Sequence, residues 1–185
     1  MQVTAITEAA ILCNNKGIKT SIEIMIPLVG VAMELKILRE HVSETIKSTL
    51  QRKKVTDKLN IKIGTMIEIP RAALTADEIV KDADFFSFGT NDLTQMTLGY
   101  SRDDINSFLP DYIKDGILEK SPFQYLDTTG VGQLIELTVT KGRSIKKNLK
   151  CGLCGEHGGE PSSIRFVHEV GLDYVSCSPF RVPVA

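Results

Sequence analysis

The sequence predicts an α/β fold in which parallel strands are joined by helical crossovers. Two observations carry this. Short apolar runs of strand character alternate, five times, with segments whose apolar residues recur every three or four positions. Several of these runs stop at a proline or glycine beside polar residues, as a strand-to-helix turn does.

The elements follow in order. Val3, Ile6, Ala9, Ala10 and Cys13 share one face of an opening helix, and Gly17 is placed to end it. Ile22 to Ile26 reads as a buried strand closed by Pro27. Val31, Leu35, Leu38, Val42 and Ile46 return to helical spacing. A second strand spans Ile61 to Ile69 and is stopped by Pro70. Thr75 and Glu78 have the spacing of a capping box for a short helix. Asp84 to Phe88 is the third strand, and helical segments follow Asn91 and again Thr129. Lys150 to Cys154 is a short fourth strand. Ser162 or Ser163 opens another helix, which Gly171 ends, and Tyr174 to Cys177 is the fifth strand. Two architectures fit this order: a doubly wound open sheet, or part of a (β/α)8 TIM barrel. A complete barrel takes roughly 250 residues. The 185 residues here therefore suit only part of one.

Composition narrows the function classes. Hydrophobic residues make up 42% and charged residues 24%, with a formal net charge of −1. No basic run suggests a nucleic-acid partner or a membrane surface. No apolar stretch reaches the ~18 residues of a membrane span. Met1-Gln2-Val3-Thr4 lacks the pattern of a signal peptide. Cys13, Cys151, Cys154 and Cys177 read as free thiols of a reducing compartment.

Chemistry in parallel α/β folds sits at the carboxyl ends of the strands. The second strand ends in Met66-Ile67-Glu68-Ile69-Pro70. The third runs into Gly89-Thr90-Asn91-Asp92, and the fourth into Cys154-Gly155-Glu156-His157. A carboxylate in an apolar strand is costly unless it is paired or binds a metal. Two carboxylates with few other ligands suit a hard cation such as Mg²⁺. Each residue also has a plainer reading. Glu68 could pair with a neighbouring Lys or Arg, Asn91 or Asp92 could be a helix N-cap, and Cys154 a small buried side chain. His157 could be a loop residue without a role. Cys151-x-x-Cys154, with His157 and Cys177, could also form a thiol redox motif or a zinc site.

Ser87 to Gln95, Phe88-Gly-Thr-Asn-Asp-Leu-Thr at its centre, resembles the signature of the phosphoenolpyruvate-utilising enzymes. That family includes the pyruvate, phosphate dikinases, the phosphoenolpyruvate synthases and enzyme I of the sugar phosphotransferase system. Cys151 to Ser163, Val175 to Pro183, Ile24 to Gly30 and Met66 to Ala72 resemble the dikinase branch. The synthases are the alternative. The resemblance covers essentially the whole chain.

It implies a (β/α)8 TIM barrel of which about strands 4 to 8 are present. Residues 1–185 are then the C-terminal part of the phosphoenolpyruvate- and pyruvate-binding domain. The early strands, a phosphohistidine domain and an ATP-grasp domain are expected ahead of Met1. The resemblance implies Mg²⁺ held by Glu68 and Asp92. It implies substrate contacts from Glu68, Gly89, Thr90, Asn91 and Asp92, and Cys154 as the proton donor and acceptor at C3 of the substrate. The implied reaction of the intact enzyme converts ATP, phosphate and pyruvate to AMP, diphosphate and phosphoenolpyruvate. Its implied partners are the phosphohistidine domain and a second subunit of a homodimer, in the cytoplasm or an organelle. The chain alone is expected to be inactive. The competing expectation is a non-catalytic binding or assembly piece.

Overall fold

The computed structural model describes residues 1–56 and 59–185. The chain runs through α1 (Gln2–Asn15), β1 (Ser21–Ile26), α2 (Ala32–Arg52) and β2 (Asn60–Ile67). Two short helices follow, α3 (Pro70–Leu74) and α4 (Ala76–Ile79), and then β3 (Phe85–Gly89). Next come α5 (Thr90–Leu98), α6 (Leu109–Lys114), α7 (Val131–Ile145) and β4 (Lys150–Cys154). The chain closes with α8 (Pro161–Val170) and β5 (Tyr174–Val175).

The five strands form one parallel sheet in the order β1-β2-β3-β4-β5. That order decides between the two expected architectures. A doubly wound sheet reverses direction at a switch point, so its strand order is scrambled. Here each strand pairs with the next in sequence, as the wall of a (β/α)8 barrel does.

The two faces of this wall differ sharply. Ile26, Ile63, Ile67, Phe86, Phe88, Cys151 and Leu153 point outward and are buried with the helices in the main core, and Ile24 is buried on the same face. Ser21, Glu23 and Met25 alternate with them on β1 and are exposed. Strand side chains alternate with a period of two. The other face therefore carries Glu23, Lys62, Phe85, Ser87, Gly89, Lys150, Gly152, Cys154 and Tyr174, matched by register. Small residues here make room for large ones: a Cβ at Gly152 would strike the Tyr174 ring, and one at Gly64 would strike Phe85.

Several boundaries differ from the sequence expectation. The second strand stops at Ile67, because Pro70 opens α3 and Ile69 takes its N-cap position. Thr75 stands at the N-cap of α4, but its hydroxyl donates to the carbonyl of Arg71, so no capping box forms. Neither Ser162 nor Ser163 caps α8. Glu160 does, accepting from the N–H groups of both serines at 2.9 and 2.7 Å. The fifth strand shrinks to Tyr174–Val175.

Between α5 and α7 the chain makes an excursion with its own small core of Ile105, Leu109 and Phe123. Tyr100 and Phe108 pack against that core, and Tyr100, Phe108 and Tyr112 meet edge to face. No helix among the described residues is long and apolar enough to cross a membrane.

Candidate active site

Three consecutive strand ends converge on one rim, as the sequence predicts. Glu68 directly follows β2, Gly89 ends β3, and Cys154 ends β4 beside Gly89 in register. Asn91 and Asp92 lie in the first turn of α5, whose N-cap position is Gly89. They are thus inside the helix rather than capping it.

Glu68 is 3% exposed, yet it forms no ion pair among the described residues. Its Oε1 instead accepts from the backbone N–H of Leu28 at 2.7 Å. Leu28 holds φ 55°, a left-handed conformation that costs a branched residue about 1 kcal/mol. The turn after β1 is bent so that this N–H reaches Glu68. Burial raises the Glu68 carboxyl above its ordinary value; the Leu28 bond opposes this, and the adjacent Asp92 carboxylate adds to it. Gly89 supplies the space, since a Cβ there would collide with the Glu68 carboxylate and the end of Met66.

Thr90 is fully buried, and its hydroxyl donates to the carbonyl of Cys154 at 3.1 Å. This bond ties the start of α5 to the end of β4. Gly155 takes φ 101°, where its missing Cβ leaves room for Thr90 and Asn91. Asn91 Oδ1 is buried with no hydrogen-bond partner in the protein. A buried acceptor without a partner in the protein is a group for which a ligand would supply the missing donor or cation.

Cys154 Sγ lies 3.4 Å from the Phe88 carbonyl. Burial raises its pKa, the Ser87 hydroxyl opposes this, and the Glu68 charge reinforces it. Ser87 was not singled out from the sequence. Its hydroxyl is buried, makes no hydrogen bond of normal length, and stands near both Cys154 and Tyr174. Burial raises the Tyr174 phenol, while Ser87 and Lys150 favour its ionised form; Lys150 Nζ sits 4.6 Å from the ring centroid. The one hydroxyl in the run Phe85-Phe86-Ser87-Phe88 was the available signal for Ser87. Tyr174 gave none, because its inward direction depends on register.

The sequence as a whole matches the family described as PEP-utilising enzyme, PEP-binding domain, over residues 1–185. The chain belongs to the PEP-utilising enzymes. Among relatives of this family member is a pyruvate, phosphate dikinase of Clostridium symbiosum, 59% identical over 186 residues, which cover 100% of this chain and 21% of that protein. A chloroplastic pyruvate, phosphate dikinase of Mesembryanthemum crystallinum is 58% identical over 187 residues, covering 100% of this chain and 19% of that protein. The chain thus spans about a fifth of the length of these relatives. A citrate lyase structure from Burkholderia xenovorans aligns with TM-score 0.58 at 12% identity, over 89% of this chain and 48% of that one. A citrate synthase variant aligns with TM-score 0.51 at 14% identity, over 100% of this chain and 73% of that one. These two likenesses concern the fold alone.

The thiol redox and zinc alternatives do not survive the geometry of this PEP-utilising fold. Cys151 and Cys154 are three residues apart on one strand, so their side chains leave opposite faces. Cys151 packs into the helix-covered core, where burial pushes its thiol up to about 12. Among the described residues, no three His, Cys, Asp or Glu side chains gather into a metal site. His157 is not a free loop residue either. It is fully buried, with Nε2 3.0 Å from the Pro122 carbonyl, and so pins the cysteine loop to the excursion.

Proposed function

We propose that this chain supplies the pyruvate and phosphoenolpyruvate site of a pyruvate, phosphate dikinase. One observation carries the reading: Glu68, Asn91, Asp92 and Cys154 meet at adjacent strand ends, with the thiol on the same face as the carboxylates. Glu68 and Asp92 are the metal ligands of this reading. Glu68, Gly89, Thr90, Asn91 and Asp92 line the substrate, and Cys154 is the catalytic residue.

The donor set fits Mg²⁺. Two adjacent carboxylates oppose each other's charge, which a cation would offset, and Asn91 in the same first turn of α5 carries a buried oxygen without a partner. Mg²⁺ commonly takes one or two carboxylates and completes its octahedron with water and substrate oxygens. When bound, it supplies positive charge to the substrate oxygens and offsets the charge that Glu68 sets against a Cys154 thiolate.

The chain's own residues do the rest. The first turn of α5 has no side-chain cap, so its N–H groups are free to receive the substrate carboxylate. As the thiolate, Cys154 Sγ takes a proton from C3 of pyruvate and becomes the thiol. The C–H electron pair becomes the C2–C3 double bond, and the carbonyl pair moves onto oxygen. That oxygen attacks phosphorus on a phosphohistidine carried by a partner domain, and the N–P bond breaks. In reverse the Cys154 thiol returns the proton to C3. Ser87 steadies the thiolate, and Tyr174 stands near both. A second subunit and a cytoplasmic or organellar location complete the proposal.

The test uses the chain lengthened to a closed barrel, as wild type and as Cys154→Ala. Exchange of the pyruvate methyl protons with deuterated water is followed by NMR. Exchange that requires a divalent cation and Cys154 is expected. Equal exchange in the two proteins removes Cys154 from the proton step. A folded barrel with no exchange in either favours a non-catalytic binding piece.

A further inference from the structure

Asp92 is held from outside the site. Gln95 stands one helical turn further along α5, where side chains at i and i+3 are neighbours. Its Nε2 donates to Asp92 Oδ1 at 3.2 Å. Its Oε1 accepts from the backbone N–H of Arg102 at 2.7 Å. The Arg102 guanidinium in turn meets Glu156 Oε1 at 3.2 Å, two residues beyond Cys154. A single amide therefore lies on a path from the carboxylate rim to the cysteine loop.

The amide's two ends are not interchangeable. The nitrogen only donates and the oxygen only accepts. A flipped Gln95 would set its oxygen against a carboxylate oxygen and its NH₂ against an N–H. Both contacts would be repulsive. The Arg102 N–H thus selects the one orientation in which Gln95 can hold Asp92. The Arg102–Glu156 pair is half exposed on both sides and adds little by itself. The backbone N–H is the part that matters.

We propose that Gln95 is a positioning residue for the divalent cation: by holding Asp92 Oδ1 it fixes the orientation in which the Asp92 carboxylate would meet the metal. The inference rests on the assignment of Asp92 as a metal ligand. Partners one shell out from a metal are commonly worth about 10–100-fold in affinity. Nothing in the motif spacing singles out Gln95 for this, since its work is done on another side chain.

The test is Mn²⁺ binding by this chain, followed by EPR titration, for wild type, Gln95→Met, Asp92→Asn and the double variant. Methionine keeps the unbranched length and removes the amide. Gln95→Met is expected to weaken Mn²⁺ binding about tenfold and to alter the bound-Mn²⁺ spectrum. It is expected to add nothing once Asp92→Asn is present. Wild-type affinity and spectrum in Gln95→Met, with binding lost in Asp92→Asn, overturn the inference and leave the metal site standing. A loss of full size persisting in the Asp92→Asn background marks a general disturbance of α5 and also overturns it. No Mn²⁺ binding by wild type, or wild-type affinity in Asp92→Asn, removes the metal site itself and this inference with it.

Discussion

Individual residues at the rim act through the space and charge they leave to each other. Gly89 is the clearest case, because the Glu68 carboxylate fills the volume a methyl would need. Gly89→Ala is expected to lower stability by about 1–3 kcal/mol, as overpacking does, and to displace Glu68. Urea unfolding checks the first effect, and Mn²⁺ affinity the second. Glu68 was legible in the sequence because a carboxylate inside an apolar run is conspicuous, and Asp92 because it closely follows the third strand. Cys154 was legible only with its strand, since facing the rim or the core is a matter of parity along β4. The same parity hid Tyr174. The Leu28 N–H that holds Glu68 was invisible, because it depends on a left-handed turn at a residue with no preference for one.

At the scale of elements, the segment from Cys154 to α8 is held by two anchors, the buried His157 and the partly exposed Glu160, that respond to pH in different windows. Burial keeps the His157 imidazole below its ordinary value, against the pull of the Pro122 carbonyl. A depressed histidine gives stability that is present above the unfolded value, about 6.5, and lost as pH falls through the folded one. Burial alone would raise the Glu160 carboxyl, but the hydroxyls and N–H groups of Ser163 and Ser162 hold it down at about 2. Its contribution is present above the ordinary glutamate value of 4.5 and lost as pH falls through the folded value of about 2. In thermal melts across pH, His157→Gln is expected to flatten the slope just below about 6.5, and Glu160→Ala the slope at lower pH. Glu160→Ala also removes the α8 cap, a loss of about 1 kcal/mol at neutral pH. The helices themselves were readable from apolar spacing. Their caps were not, since Glu160 accepts from the first-turn N–H groups of α8 and Asp127 from those of Gly130 and Val131 at the start of α7. The excursion before α7 was missed because its core draws on residues with no common period.

For the whole molecule, the alternation of strands and helices fixed the class but left two architectures open; the resemblance implied the barrel, and pairing supplied the strand order that shows it. Among the described residues the wall ends at β1 and β5 with unpaired edges, and its inner face is partly bare at β1. Unpaired strand edges recruit further strands. Concentration-dependent association of the chain is therefore expected in sedimentation velocity, and Met25→Lys, on the bare face of the edge strand, should reduce it. The opposite placement of Cys151 and Cys154 has a practical outcome. The two thiols form a built-in gauge of breathing motion. A small alkylating reagent should mark Cys154 at a rate set by its own reactivity. It should reach Cys151 only when the helical layer lifts from the sheet. The ratio of the two labelling rates, read by peptide mass mapping, reports how often this wall comes apart without unfolding the protein to ask.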